Sequence, residues 1–413
     1  MLERYTLLFL FVILQACQQS SIKQYVQDSI KPIATISPDS TDFSDLQVIG
    51  NAIGEARVVM LGEQDHGDAP TFLAKTRLIK YLHEQKGFNV LAFESDFFAL
   101  NEGWSRLAKQ EDSIRKFVKR NIFSLWTKCV QCEALFDAYI PRTFQTRAPL
   151  QVSGFDNQNN GNYSMLGLRS FVDAYLRRYN IAFTRSHVYT DFFLPALDSL
   201  YTKKSPIIGR HLAAVADTIL NQLKSLAPDV YGKLVIQSIK AYGEQGQHFT
   251  SSFKAANEVR DQQMARNLEW LVRHKYKGEK IIVWAANYHI LKNAKESFAD
   301  EKMKVGTMGD YFTNDTSRAR QTYILGFTSK RGTAGRIRTE PYVVEPPKEN
   351  SFESWIPTSL AYGFIDFKAF NQQGEAPRSF YMKGVYGYYS GIWTNMFDGV
   401  FYIRDMYPYQ ERN

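Results

Sequence analysis

Short, unbroken apolar runs alternate along the chain with stretches whose apolar positions recur at helical spacing. Residues 58–61 (Val-Val-Met-Leu) stop at Gly62. Between Pro70 and Lys86, Phe72, Ile79 and Leu82 recur with helical period, and Gly87 stands where a helix should end. Residues 90–93 then form a second apolar run. Two such strands joined by a helix predict a parallel βαβ unit buried on both faces. The pattern returns at residues 150–155, which run into Asp156, and at residues 280–284, which lead to Asn287 and His289. Helices are predicted before these strands, over 102–139 and 258–275. Residues 166–249 carry little strand signal and several helical stretches, such as 212–226. After about Gly306, strands are predicted at 322–328, 341–345 and 400–405, with Gly- and Pro-rich connections.

The expected fold class is α/β: a Rossmann-like, mostly parallel sheet flanked by helices, with a helical insertion subdomain and a small α+β subdomain. The expected partition is a leader over 1–17, a tether over 18–45, and a core over 46–165 and 256–305. The helical insertion takes 166–255. The α+β part takes 306–413, its last strand returning to the core.

The N-terminus changes the picture of location. Residues 6–14 are apolar and end in Leu14-Gln15-Ala16-Cys17. A membrane span needs ~20 apolar residues, so this run reads as the core of a secretory signal. A cysteine directly after the small residue is similar to a bacterial lipobox. The expectation is a lipid anchor at Cys17, holding the protein at the bacterial cell envelope on the periplasmic side or outer membrane. An ordinary cleaved signal is the alternative. The net charge is +8 and stays so without residues 1–16, which hold one acid (Glu3) and one base (Arg4). With no block of like charge and no nucleic-acid-binding pattern, no nucleic-acid partner is expected. Beyond Cys17 the cysteines are Cys129 and Cys132. Trp126, Cys129, Cys132 and Phe136 fall at helical spacing, which predicts a buried helix face. A local disulfide is the alternative.

Ligands of open parallel sheets bind beyond the carboxyl ends of the strands. There the chain places Glu63 and His66, then Glu94, then Asp156 and Gln158, then Asn287 and His289. Packing apolar strands requires no titratable group at those points. Of seven histidines only His66 and His289 fall at predicted strand ends. Their coincidence with Glu63 and Glu94 points to a catalytic site.

Residues 61–67 (Leu-Gly-Glu-Gln-Asp-His-Gly), Arg77, residues 87–94 and residues 154–158 carry a family likeness. So do Arg260 with Asp261, residues 284–289 (Trp-Ala-Ala-Asn-Tyr-His), residues 308–311 and residues 397–400. In that order they resemble the erythromycin esterase family over nearly the whole chain after the leader. The resemblance implies hydrolysis of an ester, in studied members a macrocyclic lactone, by a histidine acting as general base on water without a cofactor. It places that base at His66, with Glu63, Glu94 and His289 as further catalytic residues. The expected partner is a small-molecule ester, met by Arg77, Asp156, Gln158, Arg260, Asp261 and Asn287. The chain departs from the family at Ala286, where active esterases carry a histidine, and at Asp65, where the family has threonine. The missing imidazole bears on macrolide cleavage.

An imidazole titrates near pH 6.5, and an adjacent carboxylate such as Glu63 would raise that value and fix the tautomer. Arg77, if directed into the cleft, or His289 would serve the oxyanion. No G-x-S-x-G elbow is present, which disfavours a serine nucleophile. Two other readings compete. One is a metal-dependent hydrolase holding its ion on Glu63, His66, Glu94 and His289. The other is a non-catalytic lipoprotein binding an apolar or haem-like ligand.

Overall fold

Six parallel strands deliver the residues singled out above to one end of a twisted sheet. The computed structural model describes residues 22–198, 200, 205–248, 251–336 and 339–412. The leader and Cys17 lie outside the described residues. The strands are β1 (Lys31–Pro32), β2 (Val58–Leu61), β3 (Phe88–Asp96), β4 (Gln151–Asp156), β5 (Lys280–Trp284) and β6 (Thr322–Arg336). They continue as β7 (Thr339–Val343), β8 (Tyr362–Asp366), β9 (Phe380–Met382), β10 (Tyr389–Gly391) and β11 (Gly399–Met406). The main sheet runs β1-β8-β11-β6-β2-β5-β3-β4, with β7 on the outer stretch of β6. From β11 to β4 every pairing is parallel, whereas β8 and β1 add antiparallel edges. A separate ribbon pairs β9 with β10.

Alternation along each strand builds two cores. Val59, Leu61, Leu91, Phe93, Ile282 and Trp284 face one side, with Phe72, Leu78 and Leu82 of the helix α1 (Ala69–Lys86). Val58, Met60, Val90, Ala92, Ile281 and Val283 face the other, with Met264 and Leu268. Because both faces are covered, the strands read as continuous apolar runs. Gly87 ends α1 in the left-handed conformation at φ 72, which a glycine adopts without a Cβ penalty.

The helical layer holds α2 (Asn162–Arg178), α3 (Pro206–Leu223), α4 (Val230–His248) and α5 (Phe253–Trp270). It has a third core, which includes Leu168, Leu176, Ile219 and Ile236. Met264 and Leu268 above belong to α5, so this helix joins the layer to the sheet. A short helix α6 (Met308–Thr313) follows.

Three expectations are corrected. The segment read as a tether is packed from residue 22 onward: residues 22–29 are helical, β1 pairs with β8, and Ile22, Val26, Ile33 and Ile36 are buried. Its apolar residues are spaced singly among polar ones, so they form no run, yet they cover the sheet edge. The strand at 322–328, assigned to the α+β part, extends the main sheet instead, beside the last strand that was expected to return to the core. Thr322–Leu325 of β6 pair with Val58–Leu61, and β11 lies between β6 and β8. Tyr323, Ile324 and Leu325 are buried on both faces, which only a central strand achieves. Third, residues 102–139 are not one helix but short pieces, with π-turns at Ala99–Gly103 and Ala134–Tyr139. Cys129 and Cys132 are buried free thiols there, packed with Trp126 and Phe136 as read, although Cys129 precedes a 3₁₀ turn. Among the described residues no helix is long and apolar enough to cross a membrane.

Candidate active site

Strand β2 ends at Gly62, where the chain passes so close to Asn287 that an added Cβ would lie 1.9 Å from its Oδ1. Glycine alone fits, and the approach lets the Asn287 N–H donate to the Glu63 carbonyl at 2.8 Å. The Asn287 side chain donates to the carbonyls of Phe327 and Gly384 and accepts from the Phe327 N–H. Its backbone N–H and its buried side-chain amide together tie the ends of β2, β5 and β6. The expectation of a substrate contact at Asn287 is corrected: its polar atoms are committed to backbone.

On the loop after β2, Glu63 is buried and wholly engaged as an acceptor. Its Oε1 lies 2.7 Å from His66 Nδ1 and accepts the Trp126 indole N–H at 3.2 Å. Its Oε2 accepts from Lys75 Nζ at 2.9 Å. A carboxylate in this role requires the proton on His66 Nδ1, which leaves Nε2 as the basic nitrogen. Nε2 has no hydrogen-bond partner among the described residues, and the side chain is 30% exposed. Burial opposes a charge on this ring, but the bond and charge of Glu63, with the charges of Glu94 and Asp65, outweigh it. The His66 pKa is raised above 6.5.

Sequence reasoning missed Lys75. Its ammonium is fully buried, 4.0 Å from the centroid of the Trp284 ring. Burial dominates and pulls its pKa down to about 8, against the opposing pull of Glu63. The signal was present: Phe72, Lys75, Ile79 and Leu82 share one face of α1, and a lysine on an apolar stripe is rarely there for packing.

The second cluster forms where β3, β4, α5 and the turn after β5 meet. Arg260 of α5 reaches Glu94 Oε1 at 2.7 Å and both oxygens of Asp156, at 3.1 and 2.5 Å. Its Nη1 lies 3.0 Å from His289 Nε2. His289 Nδ1 lies 2.7 Å from Asp261 Oδ1, which also accepts the N–H of Met308 at the start of α6. Glu94 Oε2 accepts the Ala286 N–H at 2.9 Å, and its Oε1 stands 3.3 Å from His289 Nε2. Burial would raise the Glu94 pKa, yet His289, Arg260 and His66 bring it to about 2. Burial alone would also lower His289, but Asp261 and Glu94 overcome both that and Arg260, and its pKa is raised.

Glu63, His66, Glu94, His289, Asp156, Arg260 and Asp261 are thus brought together in two adjoining clusters. Gln158 sits half-buried on the loop after β4. Arg77 is corrected: it points away from the cleft, to Asp45 and to the carbonyls of Thr35 and Asp42. Two positions after Lys75 on a helix lies the opposite face, so Arg77 braces the N-terminal segment. Asp65 is held by Arg336 at 2.9 Å and by the Tyr342 hydroxyl at 2.7 Å. The four residues proposed as metal ligands do not form one ligand set. Glu63 is turned to His66 and Lys75, and Glu94 and His289 are turned to Arg260. Among the described residues no three His, Cys, Asp or Glu side chains group to hold an ion.

Against known proteins, the erythromycin esterase family matches residues 83–406. The chain is 26% identical to the putative hydrolase YbfO of Bacillus subtilis (strain 168), over 88% of this chain and 87% of that protein. It is 22% identical to erythromycin esterase type II of Escherichia coli, over 92% of this chain and 97% of that one. A histidine-to-asparagine mutant of the erythromycin esterase EreC, solved in its open conformation, shares the fold. Its TM-score is 0.63 at 16% identity, over 93% of this chain and 98% of EreC. The family match spans most of the chain and takes in β3, β4, β5 and the Arg260 cluster, so this chain belongs to the erythromycin esterase family.

Proposed function

We infer that the protein hydrolyses ester bonds, with His66 as the general base. The observation that carries this reading is the ring's geometry: Nδ1 is fixed by buried Glu63, while Nε2 is the basic nitrogen, has no partner among the described residues, and belongs to a side chain that is 30% exposed. A water there loses its proton to Nε2 as its oxygen attacks the ester carbonyl. Glu63 stabilises the imidazolium, and Lys75 and Trp126 hold Glu63 in place. A positioned base contributes ~10²–10⁴-fold. Arg260 and His289 stand across from it, near enough to Glu94 that its charge acts on both His66 and His289. Arg260, held by His289, polarises the carbonyl oxygen, and the imidazolium at His66 returns the proton it took to the leaving alkoxide. Asp156 and Asp261 orient this pair, and Gln158 contacts the substrate at the rim.

The relative named erythromycin esterase type II makes macrolactones the first substrates to try. Ala286 brings no imidazole to the site, only the backbone N–H that Glu94 accepts, so smaller esters belong in the same panel. The protein lacking residues 1–17 is incubated with macrolides and simple esters, and the products are read by mass spectrometry. A product heavier by one water, or a free acid and alcohol, supports the reading; an unreacted panel opposes it. The same reading anchors the protein to the cell envelope through a lipid on Cys17. Cys17→Ser protein should then leave the membrane fraction on a salt wash.

A further inference from the structure

The segment after β9 is tied to the turns that carry both clusters. The Lys383 carbonyl accepts from the side-chain amide of Gln64, the residue after Glu63. The next carbonyl, of Gly384, accepts at 2.6 Å from the side chain of Asn287, which stands two residues before His289. The Lys383 N–H donates to buried Glu353 Oε1 at 2.9 Å. Gly384 packs so closely on Trp393 that an added Cβ would lie 2.3 Å from the ring, and Val385 is buried. Residues 383–385 are therefore fixed against the turns after β2 and β5.

Tyr386 comes next, and there the segment emerges, with the residue 49% exposed. The Arg336 guanidinium lies over its ring, 4.6 Å from the centroid. Arg336 Nε in turn donates to both oxygens of Asp65, at 2.9 and 3.1 Å. Asp65 precedes His66 and accepts its N–H at 2.8 Å. The ring is thus held from the His66 side by contacts that phenylalanine would make equally well. Its hydroxyl has no hydrogen bond among the described residues.

The surroundings say what that hydroxyl can do. Burial pushes its pKa up to about 12, with Arg336 opposing, Glu94 and Asp65 adding, and Arg260 opposing. Asp65 and Arg336 belong to the His66 side, Glu94 and Arg260 to the second cluster, so the phenol is within electrostatic reach of both. At neutral pH it keeps its proton and is an uncharged hydrogen-bond donor. Attack on an ester drives negative charge onto the carbonyl oxygen, and Arg260 is the donor assigned to it above. A guanidinium has five N–H groups. Arg260 makes four contacts with them, one to Glu94, two to Asp156 and one to His289, which leaves one N–H. An oxyanion has lone pairs for more than one donor, and a donor fixed beforehand costs no reorganisation when charge develops.

We propose that Tyr386 is a further catalytic residue, whose phenol O–H donates to the ester carbonyl oxygen as it turns anionic, beside the remaining N–H of Arg260. The proton stays on the phenol throughout. The assignment rests on the ester-hydrolase reading and adds a second donor to that site.

Tyr386→Phe tests it, because the ring stays under Arg336 and only the donor goes. With the best ester of the panel, kcat should fall at least about tenfold while KM stays within about twofold, since the lost contact belongs to the transition state. Thermal melting should match the wild type, and Tyr386→Leu carries the same test if the first variant melts early. A folded variant with wild-type kcat, or one changed only in KM, overturns the assignment and leaves ester hydrolysis standing. If the wild type cleaves no ester, the hydrolase reading has failed by itself. The donor is then read by calorimetric binding of phenyl methylphosphonate, a tetrahedral anion shaped like the intermediate. Binding at least about tenfold weaker in Tyr386→Phe supports the donor. Equal binding by the two proteins, or none by the wild type, overturns it.

Discussion

Arg260 Nη1 lies 3.0 Å from His289 Nε2, and because a guanidinium only donates, this contact places the ring proton on Nδ1, against Asp261. Glu94 Oε1 waits 3.3 Å from the same Nε2. A proton arriving at Nε2 would therefore exchange an Arg260 bond for a Glu94 bond. The cluster can hold His289 in either protonation state without leaving a buried charge unpaired.

That arrangement makes Arg260 the keystone of the second cluster. Arg260→Met would leave Glu94 and Asp156 buried without their cation. Breaking a buried pair by removing one partner costs about 3–5 kcal/mol, so urea unfolding should show a loss of that size. Loss of a carbonyl-polarising donor should also cut turnover ~10²–10³-fold. Unchanged stability in Arg260→Met would mean that the carboxylates are paired some other way.

The pH dependence of turnover should be bell-shaped. A general base acts only when neutral, so the rate rises as pH climbs through the His66 pKa, which lies above 6.5. Lys75 loses its charge at about pH 8, and with it one of the two cationic or indole donors that hold Glu63. The rate should therefore fall on the alkaline side. Glu63→Gln removes the charge that lifts His66 while burial still lowers it, so the acid limb should move to lower pH as the maximum falls. Lys75→Met should abolish the limb near pH 8. Profiles of kcat against pH for the three proteins check this, and an acid limb unmoved by Glu63→Gln would contradict it.

Much of this was legible in the residues because strand ends are where an open parallel sheet exposes chemistry. The runs at Val58–Leu61 and Lys280–Trp284 became β2 and β5 as read, and at the ends of β2, β3 and β5 His66 meets Glu63 and His289 meets Glu94. What stayed hidden depended on direction and depth. Arg77 and Lys75 are two residues apart on α1, and the facing one is Lys75, because helical geometry turns alternate residues to opposite sides. Asn287 looked like a substrate contact, yet the tight passage at Gly62 commits it to backbone. The sheet order was also hidden: nothing local in residues 322–325 says that β2 is their neighbour.

Asn287 offers a test of structure rather than chemistry. Asn287→Ala orphans the Phe327 N–H and the carbonyls of Phe327 and Gly384, all buried. Each unsatisfied buried group costs ~1–3 kcal/mol. A clear drop in melting temperature is expected. A variant of native stability with only a raised KM would return Asn287 to the substrate-binding set.

The central claim is that His66 takes the proton from water, and the most direct measurement compares turnover by wild-type and His66→Ala protein, each with and without a chelator. The ring lies 30% exposed at the cleft with its Nδ1 on Glu63, so its loss should leave melting nearly unchanged. Turnover of the best ester should fall at least ~100-fold, and chelation should leave the wild-type rate as it was. Full activity in folded His66→Ala, or a chelator-abolished rate that zinc restores, would contradict the account.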